Sequence, residues 1–543
     1  MRQHLPEWAD DLRVAQKQAL SELSNSSHNI NFLQAPTGAG KSLIAEMVRH
    51  SAGHRGIYTC TTKTLQDQVL RDFPEAAVLK GRGNYPTLTG PKWVTGDDCD
   101  MPLQGGPCSY CNPTYACPYR AAKRDAIRAD LAVLNTSYLL RESNGGGHLK
   151  KDRDIVVIDE ADLLEDELLS YVELGIPKKL YKEAGKPKWV SLGNSTSDAE
   201  RNRAEWARWM GEDLAPVIGK RIEALEWKAD TDPKARREMR RLQELLEKAR
   251  TLYDNGMDGW VFTGYKDKEK FSRPTFKPIS VAPYAKDVLW RHAPRWMLMS
   301  ATIISAEQMA RDLGLDRGHW GLVDVESDYD PRRRPVVVRG SESGGRANAE
   351  AALQDQQGEL RRVLEQHPRE RILVHSVSFA RAGALADAVS GRPVFRYTDS
   401  SGRGVALSEW LQSSDGALFA PSFDRGLDLA HDLCRVSVIA KIPFPSLGDA
   451  QVSARLHTPG GQGWYDVKTI RTIVQMAGRT MRGPTDHSIT YIIDGGFKTF
   501  HAKHRRLFPQ YFNDALIWNE TTAIGRRKLA DYEEIKRESE NAV

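Results

Sequence analysis

Short apolar runs alternate with polar turns and helix-periodic stretches from the first strand-like segment to Leu164. The runs are INFLQAPTG from Ile30, GIYTC from Gly56, LAVLNTS from Leu131 and IVVIDEAD from Ile155. Such runs, each leading into a helix, predict parallel strands buried on both faces, with ligands gathered at their carboxyl ends. From about Asp198 to Tyr253 the texture changes. Apolar residues at Trp206, Trp209, Met210, Leu214, Val217, Ile218, Ile222 and Leu225, then at Met239, Leu242, Leu246, Ala249 and Tyr253, follow the spacing of amphipathic helices. Thr231-Asp232-Pro233 reads as the turn of a helical hairpin, and Pro216 is expected to kink or interrupt its first helix. The strand-like WMLMSATI at Trp296 resumes the first sheet, and SDYDPRRRP from Ser327 marks the crossing into a second α/β unit. That unit carries RILVHSVS at Arg371, ALFAPSF at Ala417, VSVIAKIPF at Val436 and SITYIIDG at Ser488. The charged tail after about Ile524 is expected to form a solvated helix.

At 543 residues the chain has room for several domains, and its net charge of +5 assigns any phosphate affinity to local basic surfaces rather than a global field. No apolar run approaches the roughly 18 residues of a membrane span. The start, MRQHLPEWADDLR, has no signal-peptide core, which predicts a cytoplasmic protein. The six cysteines are too few for a disulfide scaffold, yet Cys99, Cys108, Cys111 and Cys117 cluster at spacing C-x8-C-x2-C-x5-C within a Gly-, Pro- and Asp-rich stretch. Four thiolates on a short irregular loop suit either a tetrahedral zinc or an iron-sulfur cluster. The pair His501 and His504 is expected to lie on the surface.

Ala35-Pro36-Thr37-Gly38-Ala39-Gly40-Lys41-Ser42 follows a strand and opens a helix, the context of a phosphate-binding loop. Gly38 and Gly40 let successive backbone N–H groups face phosphates, Lys41 would reach the β- and γ-phosphates of ATP, and the Ser42 hydroxyl would ligate Mg2+. The buried run Ile155–Ile158 presents Asp159 and Glu160 at the edge of the same sheet, where Asp159 would hold Mg2+ and Glu160 would polarise the attacking water.

With these sites in hand, further motifs carry a resemblance to superfamily 2 nucleic-acid helicases. Gln475-Met-Ala-Gly-Arg479-Thr-Met-Arg482 is similar to that superfamily's sixth motif, Ser300-Ala301-Thr302 to its third, and Thr59-Cys-Thr-Thr-Lys63 to its motif Ia; Gln16 resembles its adenine-reading glutamine. Lys80-Gly-Arg82-Gly-Asn84-Tyr85 ahead of the cysteines, and Cys117-Pro-Tyr119-Arg after them, closely resemble the iron-sulfur helicases of the XPD/DinG family. Three departures stand out: Thr87 occupies a position where the family often has its first cysteine, motif II ends in Asp162 rather than the more frequent histidine, and motif V reads Arg425-Gly426-Leu427-Asp428.

The resemblance implies an α/β fold with two RecA-like parallel-sheet P-loop domains, an inserted iron-sulfur loop domain and an inserted helical arch. Helicase domain 1 would comprise 1–85, 121–165 and 274–325, interrupted by the cluster domain at 86–120 and the arch at 166–273. Helicase domain 2 would span 326–524, followed by the charged tail at 525–543. It implies ATP and Mg2+ held by Gln16, the 35–42 loop, Gly426 and Asp428. A 4Fe-4S cluster would sit on the four cysteines. Lys41, Asp159, Glu160, Gln475, Arg479 and Arg482 would carry catalysis, with Arg479 and Arg482 as arginine fingers. Ser300 and Thr302 would serve as coupling residues, and Lys63, Arg82, Asn84, Tyr85 and Tyr119 would contact nucleic acid. The implied activity is ATP-driven 5′ to 3′ DNA unwinding by a monomer on single-stranded, forked or tailed DNA. A single-strand translocase or RNA remodeller, and a non-catalytic nucleic-acid scaffold, are the alternatives.

Overall fold

A computed structural model describes residues 12–36, 38–88, 95–96, 117–144, 149, 152–185, 196–229, 232–262, 274–327, 330–340, 349–399, 401–421, 433–479 and 486–541. The first sheet is seven-stranded and parallel throughout. Its strands are β1 (Ile30–Gln34), β2 (Gly56–Cys60), β3 (Ala77–Leu79), β4 (Leu131–Asn135), β5 (Ile155–Asp159), β9 (Arg295–Ser300) and β10 (Trp320–Asp324), in the order β10-β1-β9-β5-β2-β4-β3. Their apolar runs are continuous because both faces are covered. Phe32, Ile57, Val156, Ile158 and Leu298 enter the core on one side, while Leu33, Tyr58, Val157, Met297 and Met299 enter it on the other.

Between β5 and β9 the chain leaves the sheet. It builds a three-stranded antiparallel sheet, β6 (Leu174–Gly175), β7 (Trp260–Phe262) and β8 (Thr275–Pro278), ordered β6-β8-β7. Against it pack the helices Thr196–Trp209, Ala215–Ala229 and Pro233–Asn255. Their shared core holds Trp206, Trp209, Met210, Leu214, Ile218, Ile222, Leu242 and Ala249, as the periodicity predicted, whereas Tyr253 is left 45% exposed. Pro216 does not break the helix. The five residues Met210–Leu214 widen into a π-helical turn just ahead of it, which absorbs the missing N–H and the ring's clash with the preceding turn. Gly211 lies within this turn, and a Cβ there would fall 2.4 Å from the Tyr253 ring.

The second sheet is also seven-stranded and parallel. Its strands are β11 (Val336–Val338), β12 (Ile372–His375), β13 (Val394–Arg396), β14 (Ala417–Ala420), β15 (Val436–Ile439), β16 (Ile489–Ile492) and β17 (Leu516–Ile517), in the order β13-β14-β12-β15-β16-β11-β17. The charged tail departs from expectation. Its helix Ala523–Asn541 is anchored on this unit by Tyr532, 1% exposed in the same core as Val374, Phe419 and Val438. Lys536 adds an ion pair to Glu370 at 2.9 Å. The two histidines expected at the surface are also drawn in: His501 is buried against Asn513, Nε2 to Oδ1 at 2.8 Å, and His504 Nε2 lies 3.6 Å from Asp466.

Candidate nucleotide site between the two sheets

Strands β1, β9 and β5 are neighbours, so the segments that follow them converge at one edge. Gln34 is in register with Ser300, Asp159 with Met299, and the Ala35 amide donates to the Ser300 carbonyl at 3.1 Å. After β1 the chain turns through Gly38 (φ +79°) and Gly40 (φ +78°), left-handed conformations that cost glycine nothing, into the helix Lys41–Ser51. Lys41 Nζ folds back onto the Ala35 carbonyl at 3.2 Å. The same loop is braced from outside: Arg13 Nη2 donates to the Gly38 carbonyl at 2.6 Å and Gln16 Nε2 to the Ala39 carbonyl at 3.0 Å. Gln16 Oε1 accepts from the Arg13 amide at 2.9 Å, so both ends of this side chain bond to the protein. A Cβ on Gly40 would come within 2.4 Å of Gln16 Nε2, so any side chain there would have to displace the end of that glutamine.

At the end of β5, Asp159 accepts from the Glu160 amide at Oδ1 (2.9 Å) and from the Tyr58 hydroxyl at Oδ2 (3.0 Å). Tyr58 also lies 2.9 Å from Ser42 Oγ, so one phenol touches both residues assigned to Mg2+. Ser42 and Asp159 supply a hydroxyl and a carboxylate, hard oxygen donors of the kind Mg2+ takes. Glu160 sits at φ +50°, a strained backbone for a side-chain-bearing residue, and it lines the cleft. Burial and the neighbouring charges of Asp162 and Asp159 push its carboxyl up to about 7, against the pull of Lys41 and Arg479. Burial also raises Asp159, with Lys41 opposing.

The facing wall of the cleft comes from the second unit. Arg479 and Gln475, on and just after the helix Gly461–Ala477, line the cleft with Pro36, Glu160 and Thr302 of the first. Asp162 is the junction: Oδ1 accepts from Ser300 Oγ at 2.7 Å and Oδ2 from Gln475 Nε2 at 2.8 Å, while Gln475 Nε2 also reaches Thr302 Oγ1 at 2.9 Å. Asp162, which ends the run Asp159–Asp162, is thus joined both to Ser300 of β9 and to Gln475 of the second unit. Among the described residues Gln475 Oε1 is buried without a hydrogen-bond partner, which leaves an acceptor for a water or ligand. Arg471, one turn earlier, donates to the Thr302 carbonyl at 3.0 Å and the Ile303 carbonyl at 3.3 Å.

Tyr58, Arg13 and Arg471 were not singled out from the sequence. Arg471 carried a signal, its i, i+4 spacing from Gln475, whereas Tyr58 is one apolar-looking position of a strand. Of the candidate nucleic-acid residues, Lys63 is exposed at the start of the helix Lys63–Asp72. Arg82 stacks over the Tyr119 ring at 5.3 Å and Tyr85 meets that ring edge-on at 5.6 Å. Tyr119, only 3% exposed, is therefore a packing residue and not a platform for a base. Asn84 closes its own turn, Nδ2 to the Gly81 carbonyl at 2.8 Å. Cys117 is buried just ahead of the helix Pro118–Arg128. Thr37, Cys99, Cys108, Cys111, Gly426, Asp428 and Arg482 lie outside the described residues. Among the described residues, no group of three or more His, Cys, Asp or Glu side chains is placed to share a metal ion, and no helix is long and apolar enough to cross a membrane.

Residues 360–515 match the family model of a helicase C-terminal domain. The chain is 22% identical over 566 residues to the ATP-dependent DNA helicase YoaA of Escherichia coli, covering 85% of this chain and 87% of that protein. YoaA of Haemophilus influenzae is 21% identical over the same shares. Among solved structures, an XPD helicase superposes with a TM-score of 0.62 at 15% identity, covering 92% of this chain and 99% of the other. Xpd4 of S. tokodaii gives 0.55 at 14% identity, covering 93% and 100%. These matches bear out the resemblance to superfamily 2 helicases of the XPD/DinG family, and the structures share its fold.

Proposed function

We propose that this chain, similar in motifs and fold to the XPD/DinG helicases, is an ATP-dependent DNA helicase that moves 5′ to 3′ along a single strand and separates duplexes. The observation that carries the reading is the junction at Asp162, where Ser300 of the first sheet and Gln475 of the second unit bond one carboxylate. A contact of this kind lets nucleotide state at Asp159 and Glu160, three and two residues away, bias how the two units sit. The 35–42 loop would cradle the phosphates, Lys41 would neutralise the γ-phosphate, and Ser42 with Asp159 would hold Mg2+. When bound, the metal spreads the charge developing on the transferred phosphoryl group. Glu160 orients and deprotonates the attacking water, and Arg479, with Arg482, stabilises the γ-phosphate from across the cleft. Ordinary hydrolysis follows, with the water oxygen taking the γ-phosphoryl and ADP leaving.

Lys63, Arg82 and Asn84 would hold the strand by its phosphates, contacts that require no base reading. In this reading 86–120 carries a 4Fe-4S cluster on Cys99, Cys108, Cys111 and Cys117, and 166–273 is the arch beside the strand. Anaerobically purified protein with broad absorption near about 400 nm, iron and sulfide supports the cluster; one zinc and neither iron nor sulfide rejects it. The test of function is ATP-dependent strand displacement on duplexes with a 5′ or a 3′ single-stranded tail, with Lys41→Ala as control. Unwinding of the 5′-tailed substrate alone is expected. Unwinding from the 3′ tail overturns the polarity, and DNA-stimulated hydrolysis without displacement replaces the helicase with a translocase.

A further inference from the structure

Tyr58 stands in the middle of β2, 2% exposed, with its ring in the core cluster that includes Leu33, Ala35, Ile44 and Val157. Packing of that ring would be served as well by phenylalanine. What phenylalanine lacks is the hydroxyl, and both partners of that hydroxyl belong to the candidate nucleotide site: Ser42 Oγ at 2.9 Å and Asp159 Oδ2 at 3.0 Å. A buried tyrosine hydroxyl finds hydrogen-bond partners as a rule, but their identity is set by the fold.

The proton count fixes the direction of the chain. A phenol has one hydrogen, and an ionised carboxylate only accepts, so Tyr58 donates to Asp159. In the remaining contact Tyr58 must then accept, and Ser42 must donate. The order is Ser42 to Tyr58 to Asp159. Because the Ser42 hydrogen is directed at Tyr58, the serine oxygen presents its lone pairs elsewhere, which is the orientation a cation ligand needs.

We propose that Tyr58 is a positioning residue for the metal–nucleotide site: its hydroxyl orients Ser42 and Asp159 so that their free lone pairs converge on one hard divalent cation, and so sets the Mg2+ requirement of the ATPase. This rests on the reading of the cleft as a nucleotide-hydrolysing site. Mg2+ tolerates little departure from octahedral geometry, and removing a partner that orients a ligand typically weakens metal binding about 10- to 100-fold.

The test uses the full chain and Tyr58→Phe, with two readouts against free Mg2+: equilibrium binding of a fluorescent ATP analogue, and single-strand-stimulated ATP hydrolysis. The expected result is a rise of about tenfold in the Mg2+ concentration for half-maximal binding and hydrolysis. Nucleotide binding in EDTA should be unchanged and the turnover number restored at saturating Mg2+. In a Ser42→Ala background the same substitution should have a smaller effect, since only the orientation of Asp159 is then left for Tyr58 to set. Tyr58→Met, which also lacks the hydroxyl but fills the space with a flexible chain, is the second variant should Tyr58→Phe fold poorly. An unchanged Mg2+ midpoint, an equal loss of binding with and without Mg2+, or a full effect in the Ser42→Ala background overturns the role of Tyr58. Wild-type protein without Mg2+-dependent nucleotide binding and hydrolysis overturns the nucleotide-site reading and this inference with it, whereas an active wild type matched by Tyr58→Phe overturns the inference alone.

Discussion

Arg455 and Asp312 form a buried ion pair across the boundary between the two units, Nη2 to Oδ1 at 2.6 Å, with side chains 5% and 9% exposed. Glu165 Oε1 stands 3.3 Å from the same guanidinium, and Arg455 Nη1 reaches the Ile279 carbonyl at 3.2 Å. The guanidinium also lies 5.4 Å from the Trp464 ring, whose Nε1 donates to Glu165 Oε2 at 2.9 Å. This cluster and the Asp162 junction fasten the helices Ala450–Leu456 and Gly461–Ala477 to the first unit at two separate places.

Removing one partner of such a pair leaves a buried charge uncompensated. Arg455→Ala is expected to cost about 3 kcal/mol, part of it recovered by protonation of Asp312. Burial, then repulsion from Glu165, already pushes that carboxyl up to about 7 against the pull of Arg455. Chemical denaturation at pH 6 and pH 8 checks this, with the larger loss expected at pH 8, where the wild-type carboxyl is ionised and paired while the orphaned one must take up a proton or stay charged without a partner.

Gln475→Ala should separate binding from chemistry. The substitution removes two hydrogen bonds that cross the cleft, one of them to a carboxylate, and bonds of that kind are worth roughly 1.5–3 kcal/mol. Turnover is expected to fall roughly ten- to hundredfold while the KM for ATP stays within about threefold, as steady-state hydrolysis on saturating single-stranded DNA would show. A rise in KM with turnover intact would place Gln475 in nucleotide binding instead.

Glu160 gives a pH dependence with a defined sign. Its carboxyl, at about 7, must be ionised to take a proton from water. In kcat/KM for ATP, activity should therefore rise through pH 7 and level off above about 8. Glu160→Gln should abolish the rise together with most of the activity. Stability runs the other way: a carboxyl raised in the folded state stabilises below its unfolded value near about 4.3 and loses that contribution as pH climbs through 7. At pH 8 Glu160→Gln is expected to melt higher than wild type.

The C-terminal helix should be part of the folded unit. Tyr532→Ala empties a core position and is expected to cost about 3–5 kcal/mol, measured by denaturant unfolding. Burial pushes the Glu370 carboxyl up, but His367 and Lys536 outweigh it and hold it at about 2. A depressed carboxyl stabilises above its unfolded value and loses that contribution as pH falls toward 2. Glu370→Gln should thus destabilise the protein at pH 7 and be indistinguishable from wild type near pH 2.

Much of this was legible because it is local. The four strand runs before Leu164 and the four of the second unit became strands with both faces buried, since apolar stretches that short and bounded by polar turns fit strands covered on both sides better than helices. The hairpin periodicity placed Trp206, Trp209 and Leu242 in one core for the same reason. The tail was misread because its charges outnumber its anchors: Leu529, Tyr532 and Ile535 make a narrow stripe, and only a neighbouring sheet distinguishes that stripe from a solvated helix.

The sequence by itself determined the glycine turn ahead of the helix Lys41–Ser51, the Asp159-Glu160 edge and the parallel α/β character, because glycine conformations, strand burial and helix starts are settled within a few residues of chain. The tertiary structure alone decided that β1, β9 and β5 lie side by side, that Tyr58 bridges Ser42 to Asp159, and that Arg455 finds Asp312 at 143 positions' remove. Those contacts are fixed by strand order and by how one unit seats on the other. Distances of that kind leave no period or spacing in the chain, since the residues that meet are set by three-dimensional neighbours rather than by sequence neighbours.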